Sequence, residues 1–245
     1  MNVPADWIVP DWPAPQRVKA LITTRNGGVS RGPYASFNLG LHTGDDSAAV
    51  HVNRAALQSV LPQAPRWLAQ QHGTTVVEAD DIASPPAADA SVARQVGTVC
   101  AILVADCIPV LFTDRAGTMV AAAHAGWRGL AGGVLEETVR RTGVSPADIL
   151  AYLGPGIGPG AFEVGADVRT AFVDRDPAAV HAFAALGRNK WLADLYALAR
   201  GALARAGVSA IHGGGYCTAS DPQRFYSYRR DRVTGRMAAL IWRIP

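Results

Sequence analysis

Only three cysteines occur among the 245 residues, Cys100, Cys107 and Cys217. An odd number without a C-x-x-C pair argues against a secreted disulfide framework and against a four-cysteine structural zinc site. No stretch reaches the roughly 18 consecutive apolar residues of a membrane span. The amino-terminal MNVPADWIVPDWPAP lacks a basic segment leading into an apolar run, and its prolines interrupt any helix, so neither signal peptide nor membrane anchor is expected. Charge of one sign is scarce as well. The balance of 23 basic against 20 acidic residues leaves +3, and outside Arg229, Arg230 and Arg232 the basic residues are dispersed, so no nucleic-acid partner is expected. These absences fit a cytoplasmic protein in a reducing compartment, whose small positive balance suits a small anion such as phosphate or a nucleotide.

What is present is enough apolar material, 49% of the chain, to bury a large core without disulfides. No repeat, low-complexity tract or linker divides residues 1–245, which predicts a single domain. β-rich runs span Arg17 to Thr23, Ala101 to Ala105, Pro109 to Thr113, Thr118 to His124, Ile149 to Leu153 and Arg236 to Arg243. Helical spacing predicts helices over Ser47 to Leu61, Leu130 to Thr142, Ala161 to Asp174, Pro177 to Leu186 and Leu192 to Ala206. Strands and helices do not alternate regularly, so the fold class is mixed α/β, with sheets covered by helices rather than a doubly wound parallel sheet.

The segment VCAILVADCIPVLFTDRAGTMVAAAHAGWRG carries the densest chemistry. It reads as strand, Asp106-Cys107, strand, turn, then a strand ending at His124, so cysteine and histidine at the ends of neighbouring strands can converge. Upstream, WLAQQHG sets His72 beside Gly73, where a ring can project into a cleft. Two imidazoles and a thiolate are a standard zinc set, and three protein ligands leave the fourth position open for water or substrate. The same residues also suit structural roles, since cysteine is often buried and a strand-end histidine often serves a backbone carbonyl. In HAGWRG, Arg128 precedes a helix whose first turns hold Gly132 and Gly133. Glycines there imply close backbone approach, either for an anion at the helix start or for plain packing. Arg25 lies in the glycine-rich TTRNGGVS, which is either a substrate loop or a simple turn and is not a P-loop. Near the end, FYSYRRD groups Phe225, Tyr226, Tyr228, Arg229 and Arg230, which suits a purine and a phosphate but equally an edge strand with solvated arginines.

Taken together, TTRNGGVSRGPYASFNLGLHTGDD, WLAQQHG, ADCIPVLFTD, AAAHAGWRGL, YLGPGIGP with FEVG, and FYSYRRD with TGRMAALIW resemble the laccase-domain family over nearly the full chain. That family was once described as multicopper polyphenol oxidases and is now understood as zinc-dependent purine nucleoside phosphorylases with adenosine deaminase activity. The resemblance implies that His72, Cys107 and His124 are metal ligands, that the cofactor is Zn2+, and that the fold has two mixed β-sheets packed between helices, similar to a group once proposed to be cysteine hydrolases. A multicopper site needs on the order of ten histidines. This chain has six and no H-x-H pair, which argues against copper oxidase chemistry.

The resemblance implies phosphorolysis of adenosine, inosine, guanosine or methylthioadenosine, with hydrolytic deamination of adenosine in the same pocket. Asp106 and Glu163 are the candidate proton carriers, and Arg25, Arg128, Arg229 or Arg230 the candidates for orienting phosphate. Two other readings remain open. In one, Cys107 is a thiolate nucleophile activated by His124, in an amidase acting on a muramyl amino acid precursor. In the other, the chain is a non-catalytic binding module stabilised by zinc.

Overall fold

The computed structural model describes residues 4–245. Thirteen strands run, in chain order, β1 (Val18–Ile22), β2 (Pro65–Arg66), β3 (Val76–Glu78), β4 (Ala90–Ala93), β5 (Val99–Val104), β6 (Ile108–Asp114), β7 (Val120–Ala125), β8 (Ile149–Leu153), β9 (Glu163–Gly165), β10 (Phe183–Gly187), β11 (Lys190–Ala193), β12 (Ala210–Gly213) and β13 (Met237–Arg243). The α-helices are α1 (Ser47–Gln58), α2 (Trp127–Gly132), α3 (Val134–Thr142), α4 (Ala166–Val173), α5 (Leu195–Arg205) and the single turn α6 (Tyr228–Asp231). The strands form a six-stranded sheet in the order β12-β8-β6-β7-β4-β3, a four-stranded sheet β1-β13-β5-β2, and a small sheet β10-β11-β9.

Strand alternation sorts the core into layers, because neighbouring residues point to opposite faces. In β6, Leu111 packs toward the four-stranded sheet, among Ile102, Val104, Ala239 and Ile241, while Val110 and Phe112 pack toward α3 and α5, among Leu135, Val139 and Leu203. On the far side of the four-stranded sheet, Leu21, Ala101, Leu103, Leu240 and Trp242 meet Phe37, Leu39 and Leu57, the last from α1. The two large sheets are thus packed between helices, in a mixed α/β fold. Both faces of each central strand are covered, which explains their near-continuous apolar runs. The alanines of VAAAHA in β7 are small enough to let the two sheets approach closely.

Most expected strands fall within two residues of the observed ones, and Ile149–Leu153 coincides. The helical expectations need correction in four places. Leu130 to Thr142 is broken at Gly133, whose φ of 102° closes α2 on the carbonyls of Gly129 and Leu130 before α3 begins. Ala161 to Asp174 opens with a strand, and the helix starts only at Ala166. Pro177 to Leu186 is one run of 3-10 helix ending at Ala182, followed by β10. Leu192 to Ala206 begins as β11 and turns helical after Asp194, whose carboxylate accepts the Ala197 amide at 2.9 Å. The last three segments feed the small sheet, where β9 pairs with β11 across 25 to 29 positions and β10 with β11 in a hairpin, so their partners cannot be read from local periodicity.

Candidate functional site

The chain passes from one large sheet to the other between β5 and β6, and Cys107 lies in that crossing. It is preceded by Asp106, a non-glycine residue with φ of 90°. That left-handed backbone is held by hydrogen bonds: Thr218 Oγ1 donates to Oδ1 at 2.6 Å, the Arg229 amide donates to Oδ2 at 2.6 Å, and the Ile157 amide donates to the Asp106 carbonyl at 2.8 Å. His124 sits one residue before the end of β7, in register with Pro109 of β6, which brings it beside the Cys107 crossing. His72 comes from the loop before β3 and also has positive φ, 60°.

These three side chains converge. Their ligating atoms all lie within 4.8 Å of one another, and Cys107 Sγ is 3.7 Å from His72 Nε2. The two imidazoles meet edge to face with centroids 4.7 Å apart. Ligand pairs on a tetrahedral zinc ion are separated by about 3.5 Å, so both donor set and spacing fit a metal ion. Gly126 keeps the space clear: a Cβ there would lie 2.7 Å from His72 Cδ2 and 2.9 Å from Cys107 Sγ. Gly129 permits the next close approach, since its Cβ would meet the Gly73 carbonyl at 2.7 Å. Packing also accounts for Gly132, whose Cβ would lie 3.0 Å from Thr74.

Asp89, just before β4, organises the group, and sequence reasoning missed it. It is 1% exposed and accepts His124 Nδ1–H at 2.8 Å, leaving Nε2 to face Cys107. The same carboxylate accepts the amides of Gln71, His72 and Gly73 at 3.1, 2.9 and 2.7 Å, tying the His72 loop to β7. Burial alone would raise the Asp89 carboxyl, but the bonds from His124 and the amides of Gly73 and Gln71 hold it below the usual carboxylate range. Burial would likewise raise the Cys107 thiol. The positive His124, then hydrogen bonds from both imidazoles, overcome that and bring it down to about 6. For His124, burial opposes protonation, yet the Cys107 thiolate and Asp89 raise it to about 9. Without a metal, these shifts favour a thiolate–imidazolium pair backed by a carboxylate. The sequence signal for Asp89 was a lone acid within the apolar PPAADASVA, a setting that demands a buried partner.

The group opens into a cleft of about 590 Å³, a size suited to a small organic ligand. Trp127, Phe162 and Tyr228 supply aromatic faces, and Arg128, Arg229, Arg232 and Arg236 line the same space. Arg128 stacks over Trp127, and Arg229 lies over Phe162 while donating to the Glu163 carbonyl at 2.7 Å. Asp106 also lines the cleft.

Three sequence candidates are turned elsewhere. Arg25 donates to the carbonyls of Ala35 and Pro222 and packs over Tyr226, so it ties loops together outside the cleft lining. Arg230 is engaged by the carbonyls of Thr218, Ala219 and Phe225 and by Asp231. The Glu163 carboxylate pairs with Lys190 at 3.3 Å on the surface. In each case the charged side chain is drawn to nearby carbonyls or to opposite charge, a direction that sequence order does not encode. His42, Gln70, Arg232 and Arg236 are cleft residues that the motifs did not single out.

Residues 19–244 match the family model described as multi-copper polyphenol oxidoreductase laccase. Among curated relatives, a purine nucleoside phosphorylase of Pseudomonas aeruginosa is 55% identical over 237 residues, covering 96% of this chain and 98% of that protein. The purine nucleoside phosphorylase YfiH of Escherichia coli is 54% identical over 240 residues, covering 97% and 98%. A solved structure of a Neisseria meningitidis protein, NMB0706, superposes with a TM-score of 0.95 at 54% identity, covering 98% of this chain and 100% of that one. By sequence and by fold, the chain belongs to the multi-copper polyphenol oxidoreductase laccase family.

Proposed function

We propose that this protein is a zinc-dependent purine nucleoside phosphorylase that also deaminates adenosine. The observation that carries this reading is the three-donor group of His72, Cys107 and His124 opening into a cleft lined by aromatic rings and guanidinium groups. The names of the curated relatives support the phosphorylase part. His72, Cys107 and His124 would hold the zinc. Bound there, the ion would supply Lewis acidity toward a purine oxygen or nitrogen or toward a water oxygen.

The remaining chemistry is assigned to the chain itself. Trp127, Phe162 and Tyr228 offer faces for the planar base, and the cleft arginines stabilise phosphate and the charge developing at C1′. In phosphorolysis a phosphate oxygen bonds to C1′, the C1′–N9 bond breaks with its electrons passing to the base, and the proton of hydrogenphosphate ends on the base. Adenosine, inosine, guanosine and methylthioadenosine are the proposed substrates. In deamination water adds at C6 and ammonia leaves. Asp106, the one candidate acid in the cleft, is the proposed proton carrier for that exchange.

The test is hypoxanthine release from inosine by zinc-loaded protein, with and without inorganic phosphate. Release that requires phosphate and yields ribose 1-phosphate is expected. Equal release in phosphate-free buffer would identify a nucleoside hydrolase instead. The depressed Cys107 thiol supports a second reading, a cysteine nucleophile with His124 as its base. Full activity after exhaustive chelation, together with covalent trapping of Cys107 by an electrophilic substrate analogue, would favour that reading.

A further inference from the structure

Four arginines line the cleft, and they differ in how they are held. None has an ion-pair partner among the described residues, in contrast to Arg94, Arg140, Arg141, Arg175, Arg205 and Arg230. Arg128 and Arg232 are exposed, and Arg229 is committed to Phe162 and the Glu163 carbonyl. Arg236 alone is both sequestered and built in. Its Nη1 donates to the carbonyls of Thr234 and Gly235 at 3.1 and 2.9 Å, while its Nε and Nη2 have no acceptor among the described residues. Its backbone leads directly into β13, whose first residue pairs with Val104 at the end of β5, two residues before Asp106.

A buried scaffold joins Arg236 to a second cleft residue. Asn38 is 0% exposed, and its Oδ1 accepts the amides of Arg236 at 2.8 Å and of Gly40 at 2.9 Å. Its Nδ2 donates to Thr43 Oγ1 at 2.9 Å, closing the loop that carries His42. Gly40 makes room for the arginine stem, since a Cβ there would lie 2.9 Å from Arg236 Cγ. His42 lines the cleft with Arg236, open to solvent on its outer side, and its proton affinity is lowered by partial desolvation and by the charges of Arg236 and Arg54. Arg54 is itself occupied, bonding the Leu39 carbonyl and stacking on Trp67. Three cationic or protonatable groups thus converge, which costs free energy in the empty cleft and is offset when a dianion binds.

We propose that Arg236 and His42, fixed by Asn38, form the subsite for inorganic phosphate in the cleft that holds His72, Cys107 and His124. The subsite rests on the phosphorolysis reading for its role. The free guanidinium edge at Nε and Nη2 presents the forked donors that suit two phosphate oxygens, and His42 adds a third contact. The anion held there is the one whose oxygen bonds to C1′ while N9 departs with the bonding electrons and takes the hydrogenphosphate proton.

The experiment measures inorganic phosphate binding to zinc-loaded protein by calorimetry, alongside separate KM values for phosphate and inosine, in the wild type and in Arg236→Gln, Arg236→Lys and His42→Asn. Phosphate affinity is expected to fall about tenfold or more in Arg236→Gln, less in Arg236→Lys, and severalfold in His42→Asn, with the KM for inosine nearly unchanged. His42→Asn keeps the test meaningful if the arginine variants fold poorly. Unaltered phosphate affinity in the variants, a loss falling on inosine instead, or a wild type that binds no phosphate would overturn the subsite. Phosphate binding that depends on Arg236 in a protein that forms no ribose 1-phosphate would leave the subsite standing and sink the reaction. Phosphorolysis with an unchanged phosphate KM in all variants would do the reverse.

Discussion

At Gly126 the candidate metal group depends on a side chain that is not there. The residue has φ of −70° and ψ of 155°, which alanine adopts freely, so Gly126→Ala puts no strain on the backbone. Its methyl would nonetheless press on His72 and Cys107. The expected result is a protein of near-native thermal stability without metal whose zinc affinity falls about tenfold or more, as read by competition with a chromogenic chelator. Cys107 permits a second test. In metal-free protein His124, with hydrogen bonds from both imidazoles, brings the Cys107 thiol down to about 6, so alkylation should keep its rate as pH falls from 8 toward 6 and decline only below that. An ordinary thiol near 8.5 would lose about tenfold per unit over the same range. Peptide mapping of the alkylated site distinguishes Cys107 from Cys217, and Cys100 is buried. His72, Cys107 and His124, which could hold a metal ion, are legible in the sequence chiefly through the family resemblance, since spacing alone leaves structural roles open. Asp89 and Arg236 are not, because their significance comes from strand register and a buried asparagine joining positions 38 and 236.

Helices and strands are stabilised by contacts of very different range, and that difference governs what the sequence discloses. Helix α5 begins where Asp194 accepts the Ala197 amide. Asp194→Ala should lower stability by about 1 kcal/mol in urea denaturation without altering zinc content, since the cap lies outside the cleft. At Gly133, a left-handed φ combines with an Arg175 guanidinium 2.7 Å from any added Cβ. Gly133→Ala should therefore cost about 1 to 3 kcal/mol. The long central strands were readable because burial on both faces makes them continuous apolar runs. The β10–β11 hairpin was not, because HAFAALG fits helix or strand equally until its partner is known.

Across the whole molecule, the putting together of β4, β7, the β5–β6 crossing and the His72 loop would make metal binding a stability term. An ion that binds only the folded chain, at about a thousand times its Kd, adds about 4 kcal/mol. Exhaustive chelation should then lower Tm by about 10 °C in differential scanning calorimetry, and added zinc should restore it. In Cys107→Ala the two melts should nearly coincide. Among the described residues no helix is long and apolar enough to cross a membrane. The account rests most directly on the metal content of protein purified without an affinity tag, determined by mass spectrometry for the wild type and for Cys107→Ala. It predicts about one zinc per chain in the wild type and a small fraction of that in a variant whose circular dichroism is unchanged. Full zinc in the variant, or copper rather than zinc in the wild type, would contradict it.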